Sequence, residues 1–171
     1  SVTEIVVVDL DPAVTHLAQR HPAFLKLNER AMLDPKVSVV NKDAYQYVEK
    51  SSEFFDLVLI DLPDPHDESI GKLYSNTFYQ LLSNRVSVDG VVVTQASSPY
   101  FAPKVFWCVH ETLAEVFSEV SPYHVQVPAF GEWGFVMARQ GQHLPPQALS
   151  QVDTTQAKEA APLEYLQAKL A

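Results

Sequence analysis

The chain has 171 residues, with 12 Lys+Arg against 21 Asp+Glu for a net charge of −9, and is 47% hydrophobic. That length suits one globular domain with a real core, and the acidic balance argues against nucleic acid or an anionic membrane surface as partners while favouring a cationic substrate. The five glycines, at 71, 90, 131, 134 and 141, form no Gly-rich phosphate loop. A single cysteine, Cys108, excludes an internal disulfide and fits a reducing, cytoplasmic setting. No run reaches the ~18 apolar residues of a membrane span, and the first residues lack the basic start of a signal peptide.

Short β-branched runs separated by helix-length segments set the expected order of elements. Strands are expected at Glu4 to Leu10 (EIVVVDL), Val37 to Asn41 (VSVVN), Phe55 to Asp61 (FDLVLID) and Gly90 to Gln95 (GVVVTQ). Helices are expected at Pro12 to Arg20, with Asp11 as N-cap and Pro12 in the first turn, then at Ala44 to Lys50 after Asp43. Two more follow, at Asn76 to Val86 and Pro103 to Phe117. The alternation predicts an α/β layered fold. After Phe117 it gives way to two strands, Glu119 to Val127 and Glu132 to Ala138, read as an antiparallel pair at the sheet edge. Residues 140 to 171, rich in Gln, Ala, Ser, Thr and Pro, read as a tail with a short helix over Leu163 to Leu170.

Ligands of parallel α/β sheets bind beyond the carboxyl ends of the strands, and here those ends are acidic three times over. Asp9 and Asp11 close the first strand, Asp43 follows the second, and Asp61 and Asp64 follow the third. Each Asp can serve simply as a helix cap, but a cap does not require an acid every time. Asp9 is placed to accept both hydroxyls of a ribose and Asp43 to accept an adenine amino group. Asp61 and Asp64, stiffened by Pro63 and Pro65, can hold a cationic amine and take its proton.

The segments VVVDLDPAV (6 to 14), NKDA (41 to 44), FDLVLIDLPDP (55 to 65), LYSNTFYQLL (73 to 82), DGVVVTQASSP (89 to 99) and VPAFGEWGFVMA (127 to 138) resemble, in this order, the polyamine aminopropyltransferases of the spermidine synthase family. The resemblance covers roughly residues 1 to 139 and is greatest to a bacterial branch in which this domain follows a membrane-embedded region. It implies a class I methyltransferase-like (Rossmann-like) three-layer sandwich. The implied reaction moves an aminopropyl group from decarboxylated S-adenosylmethionine to putrescine or a similar amine, giving spermidine and methylthioadenosine. On the same basis Asp9 takes the place of the ribose-binding acid, and Asp43 with Ala44 lies against the adenine. Asp61 is the proton acceptor, and Asp64, Tyr79 and Gln95 form the amine site. No metal is implied. A homodimer is expected, with the domain on the cytoplasmic side of any membrane-embedded parent and making no membrane contact itself.

The sequence departs from the family pattern in three respects. Leu62 and Pro63 stand where small hydroxyl residues commonly separate the two acids, and Phe130 stands where a Tyr is common. The family's Gly-rich loop lies on a strand upstream of VVVDLDP, so the chain is expected to be a fragment lacking that loop and that central strand, and to be inactive by itself. The strands ending at Asp9 and Asp61 are then expected either to close on each other or to pair with another copy. Two other functions fit the same residues: an S-adenosylmethionine-dependent small-molecule methyltransferase, and a non-catalytic polyamine- or adenosyl-binding domain.

The remaining conspicuous residues read plainly. The six histidines show no ligand spacing for a metal, and His66 is a solvated loop residue. Ser97 and Ser98 lack a nucleophile-elbow context. Phe106, Trp107 and Phe117 are expected in the core, as is Trp133.

Overall fold

The computed structural model describes residues 2–129 and 131–141, so Phe130 and the expected tail from residue 142 onward lie outside the described residues. Two parallel strands open the chain. β1 (Ile5–Asp9) and β2 (Val37–Asn41) pair in register from Ile5 with Val37 to Asp9 with Asn41. Between them α1 (Pro12–Arg20) starts where the sequence predicts: the Asp11 carboxylate accepts from the Ala13 N–H at 2.7 Å and Pro12 fills the first turn. A second helix, α2 (Pro22–Leu27), and a 3-10 turn at Ala31–Leu33 were not expected. Pro22 ends α1 at His21, as a helix-breaker should, but it is also a good first residue for the next helix.

α3 (Ala44–Lys50) is capped by Asp43, whose carboxylate accepts from Gln46 N–H. β3 (Phe55–Ile60) follows, then a short α4 (Glu68–Gly71) continuing into a 3-10 turn at Lys72–Tyr74, and α5 (Asn76–Ser83). α5 stops short of the expected Val86. Asn84 closes it, and Val86 already pairs with Phe55 as the first residue of β4 (Val86–Gln95). The register then jumps, with Leu57 opposite Val91, so residues 87–90 bulge outward. Gly90 sits at the return, where an added Cβ would lie 2.5 Å from Val86 Cγ1.

α6 (Pro103–Ala114) leads into β5 (Glu119–Val127) and β6 (Gly131–Arg139), the expected antiparallel pair. The second sheet runs β3-β4-β6-β5, parallel at β3-β4 and antiparallel beyond, with β5 at the edge. α5 and α6 cover one of its faces. Ile60, Val92, Thr94, Val136 and Ala138 are buried there with Phe78, Tyr79, Leu82, Phe106, Val109 and Leu113. Phe117 joins this core, but Trp107 does not. It lies on the outer side of α6 and is 50% exposed, because helical spacing from Phe106 and Phe117 does not include the position directly after Phe106. Trp133 is half-buried.

Among the described residues β1 pairs only with β2 and β3 only with β4, so the two sheets are not hydrogen-bonded to each other. The expected direct closure of β1 on β3 does not occur. The halves are joined instead through α3: Val48 enters the core, Tyr45 stacks on Phe78 with ring centroids 5.8 Å apart, and Asp43 pairs with Lys72.

Candidate active site

The acidic strand ends fall where expected, with Asp9 closing β1, Asp43 two residues beyond β2, and Asp61 directly after β3. Their carboxylates are in different states. Asp9 Oδ1 accepts from the Asp11 N–H at 2.7 Å, which folds the loop after β1, and Lys42 N–H donates to the Asp9 carbonyl at 3.1 Å, drawing the ends of β1 and β2 together. Asp43 is more heavily engaged: Oδ1 caps α3, and Oδ2 lies 2.8 Å from Lys72 Nζ. The Lys72 ammonium beside it holds the Asp43 carboxyl below the usual carboxylate range, more than burial raises it. Ala44 opens α3, where first-turn N–H groups lack intrahelical partners. Leu10 and Asp43 also border a cleft of about 570 Å³ that runs along Gln46, Tyr47 and Lys50 of α3.

The loop from Asp61 to Pro65 is the most organised part of the site. Asp61 is exposed at its start. Asp64 is half-buried and held at both oxygens, Oδ1 by Gln95 Nε2 at 3.2 Å and Oδ2 by Ser97 Oγ at 3.1 Å. Gln95, the last residue of β4 and 3% exposed, also donates from Nε2 toward the Leu62 carbonyl at 2.6 Å and the Tyr74 hydroxyl at 2.7 Å. Three acceptors thus share two amide hydrogens. Its Oε1 accepts from the Ser97 N–H at 2.8 Å. Tyr74 is buried, and its hydroxyl sits within donating distance of the Leu62 and Pro63 carbonyls, at 3.1 and 3.2 Å. Burial pushes its phenol up to about 12, so it stays a neutral donor across the physiological range.

Gln95 and Asp64 are therefore brought together as the sequence predicts. Tyr79 is not on the open surface with them. It projects from α5 into the core at 0% exposure, and its hydroxyl, beside Thr94, makes no well-formed hydrogen bond. Burial raises its phenol far above the ordinary value. Tyr79 backs the site rather than lining it, because the α5 face that carries it is the one turned to the sheet. Two residues that sequence reasoning did not select, Tyr74 and Ser97, hold the loop. For Ser97 the one available signal is its spacing of two from Gln95 at a strand end. Tyr74 follows α4 in a turn without helical periodicity, and its one signal is its place in the LYSNTFYQLL segment. His66 is exposed, with its ring nitrogen Nδ1 2.7 Å from the Asp64 carbonyl. Among the described residues no group of His, Cys, Asp and Glu is arranged to hold a metal ion, and no helix is long and apolar enough to cross a membrane.

Parallel strands ending in acids, helices α5 and α6 on one face and an antiparallel β5-β6 edge define a class I methyltransferase-like domain. Two solved structures share the fold: a spermidine synthase in complex with the transition-state analogue AdoDATO (TM-score 0.76, 23% identity, covering 89% of this chain and 53% of that one) and the spermidine synthase of Thermotoga maritima (TM-score 0.73, 22% identity, covering 88% and 52%). Residues 1–149 match the spermine/spermidine synthase domain, and the chain belongs to that family. Among curated relatives, Polyamine aminopropyltransferase 2 of Ralstonia nicotianae is 50% identical over 140 residues, covering 82% of this chain and 28% of its own length. The polyamine aminopropyltransferase of Oceanobacillus iheyensis is 47% identical over 137 residues, covering 80% and 27%. Polyamine aminopropyltransferase 1 of Streptomyces coelicolor is 40% identical over 167 residues, covering 98% and 30%. The chain thus spans less than a third of the length of these relatives.

Proposed function

We propose that this chain is the acceptor-side and adenosyl-side part of an aminopropyltransferase that converts putrescine or a similar diamine to spermidine. Residues 1–139 would form the catalytic domain, and the donor would be decarboxylated S-adenosylmethionine. The observation that carries the reading is the unequal state of the two loop acids. Asp64 is fixed at both oxygens by Gln95 and Ser97, whereas Asp61 is exposed one residue past β3. A fixed carboxylate suits the holding of an ammonium group. Each oxygen keeps a lone pair for it after accepting one hydrogen bond. An exposed carboxylate at the strand end suits proton uptake.

A diamine is protonated near neutral pH, and only its neutral nitrogen is nucleophilic. Asp64 would hold the distal ammonium with Gln95 beside it, and Asp61 would take the proton from the attacking nitrogen. The new C–N bond forms as the C–S bond of the sulfonium donor breaks. The electron pair of that bond passes to sulfur, leaving methylthioadenosine. The positive charge passes from the sulfonium to the new secondary ammonium, Asp61 keeping the one proton it took to free the nitrogen. On the donor side, Asp9 would accept from the ribose hydroxyls, and Asp43 with Ala44 would meet the adenine. Because Lys72 and the α3 cap already occupy Asp43, an adenine amino group there would share the carboxylate with Lys72 or displace it. The same reading takes the domain as cytoplasmic and homodimeric.

The test is transfer by the full-length protein from decarboxylated S-adenosylmethionine to putrescine, followed as methylthioadenosine release. Asp61→Asn is expected to lower kcat by about 100-fold or more, the range of a lost general base. Full activity in that variant would remove Asp61 from the role. Putrescine binding without methylthioadenosine release by the wild type would make this a polyamine-binding domain.

A further inference from the structure

The loop between the two acids carries no hydroxyl of its own, since residues 62 and 63 are Leu and Pro, yet two hydroxyls reach it from elsewhere in the fold. Ser97 Oγ donates to Asp64 Oδ2, and the Tyr74 hydroxyl lies against the Leu62 and Pro63 carbonyls while accepting from Gln95. Both donors are set from behind. Ser97 is 5% exposed, receives the Gly134 N–H on its carbonyl at 2.7 Å, and gives its own N–H to Gln95 Oε1. Its φ is +62°, a left-handed conformation that serine seldom adopts. That conformation places Ser97 N–H on Gln95 and Ser97 Oγ on Asp64 at the same time. A buried, non-glycine residue kept in this region indicates that the surrounding structure imposes the geometry for a reason other than local comfort.

We propose that Ser97 and Tyr74 are positioning residues of the amine subsite. Ser97 sets the rotation of the Asp64 carboxylate, and Tyr74, through the carbonyls of residues 62 and 63 and through Gln95, sets the height of the loop that carries Asp64. This rests on the reading that Asp61 and Asp64 form the amine site. Neither hydroxyl bonds to the donor side, where Asp9 closes β1 and Asp43 caps α3. Loss of either hydroxyl should therefore act on the amine and spare the nucleoside.

Two substitutions separate this role from a merely structural one. Ser97→Gly removes the hydroxyl and relieves the positive φ, so it should leave thermal stability near that of the wild type. Tyr74→Phe keeps the ring in the core and removes only the oxygen. In the full-length protein each is expected to raise KM for putrescine about tenfold with KM for decarboxylated S-adenosylmethionine unchanged, and calorimetry with putrescine should show the same weakening. Both effects in one variant should exceed either alone. Wild-type KM and affinity for putrescine in both variants, in a protein that loses transfer on Asp61→Asn, would overturn the positioning role and leave the amine site standing. Full transfer in Asp61→Asn together with unchanged putrescine affinity in Asp64→Asn would overturn the amine site itself. A wild type that neither transfers to putrescine nor binds it would overturn both. Equal changes in the two KM values, or a loss of stability in Ser97→Gly that matches its loss of affinity, would assign Ser97 a structural role only.

Discussion

Gly134 shows how closely the site depends on a residue that bears no functional group. Its backbone forms two bonds with the end of β4, Ala96 N–H to the Gly134 carbonyl at 2.9 Å and Gly134 N–H to the Ser97 carbonyl at 2.7 Å. A Cβ there would lie 2.5 Å from the Phe106 ring and 2.8 Å from the Ser97 carbonyl oxygen. The ring can yield only by moving α6, and the carbonyl only by shifting the residue that holds Asp64. Gly134→Ala is expected to cost about 1–3 kcal/mol, the usual range for overpacking a filled core. The measurement is the urea midpoint, and an unchanged midpoint would mean that α6 moves away freely. The position of Asp64 was legible in the sequence from its spacing to Asp61 and its place after a strand. The role of Ser97 was not, because its importance comes from a backbone conformation and a cross-strand contact that no local pattern encodes.

At the scale of elements, α3 is the bridge between the two halves of the domain, and its N-terminus is the point where charge matters. Asp43 caps the helix and pairs with Lys72, which sits 5.7 Å from the centre of the Tyr45 ring. Because Lys72 lowers the Asp43 carboxyl in the folded protein, the pairing stabilises the fold above the ordinary aspartate range near pH 4. That contribution is lost as the pH falls through the lower, folded value. Asp43→Asn keeps a capping oxygen and removes the charge, so it should cost up to about 1 kcal/mol at pH 7, as for a partly exposed pair. Urea unfolding at pH 7 and at pH 2 checks this: the gap between variant and wild type should close at the lower pH, and a gap of equal size at both would show that the pairing contributes nothing. The elements themselves were largely legible. α1, β2, α3 and β5 run over the residues expected, because capping acids, an N-terminal proline and β-branched runs are local signals. α2 and α4 were not expected, being four to six residues long and too short for a period to show. The length of β4 was missed because the bulge at residues 87–90 interrupts the alternation.

For the whole molecule, burial is unequal between the halves. The β3-β4-β6-β5 sheet has a packed face with Leu82, Val92, Leu113 and Val136 at 1% exposure or less. In β1 and β2 no residue is fully buried, and Ile5 is 44% exposed. A two-stranded ribbon is marginal without packing on at least one full face, and regions with few buried contacts open first. Amide hydrogen exchange on this 171-residue chain should therefore show β1 and β2 losing protection well before β4 and β6. Equal protection in both halves would mean that α1 and α3 stabilise the ribbon as well as a full sheet does.

By itself the sequence determined the layered α/β class, the antiparallel end and the row of acids at three strand ends, since each depends on residues near one another along the chain. It also carried the family, through motifs kept in order. Only the tertiary structure decided that the β1 and β3 edges stay apart, that Tyr79 faces the core, and that hydroxyls from residues 74 and 97 reach a loop that has none. Those outcomes turn on which distant segments meet across the sheet, and that is settled by packing and by satisfying buried polar groups rather than by local preference.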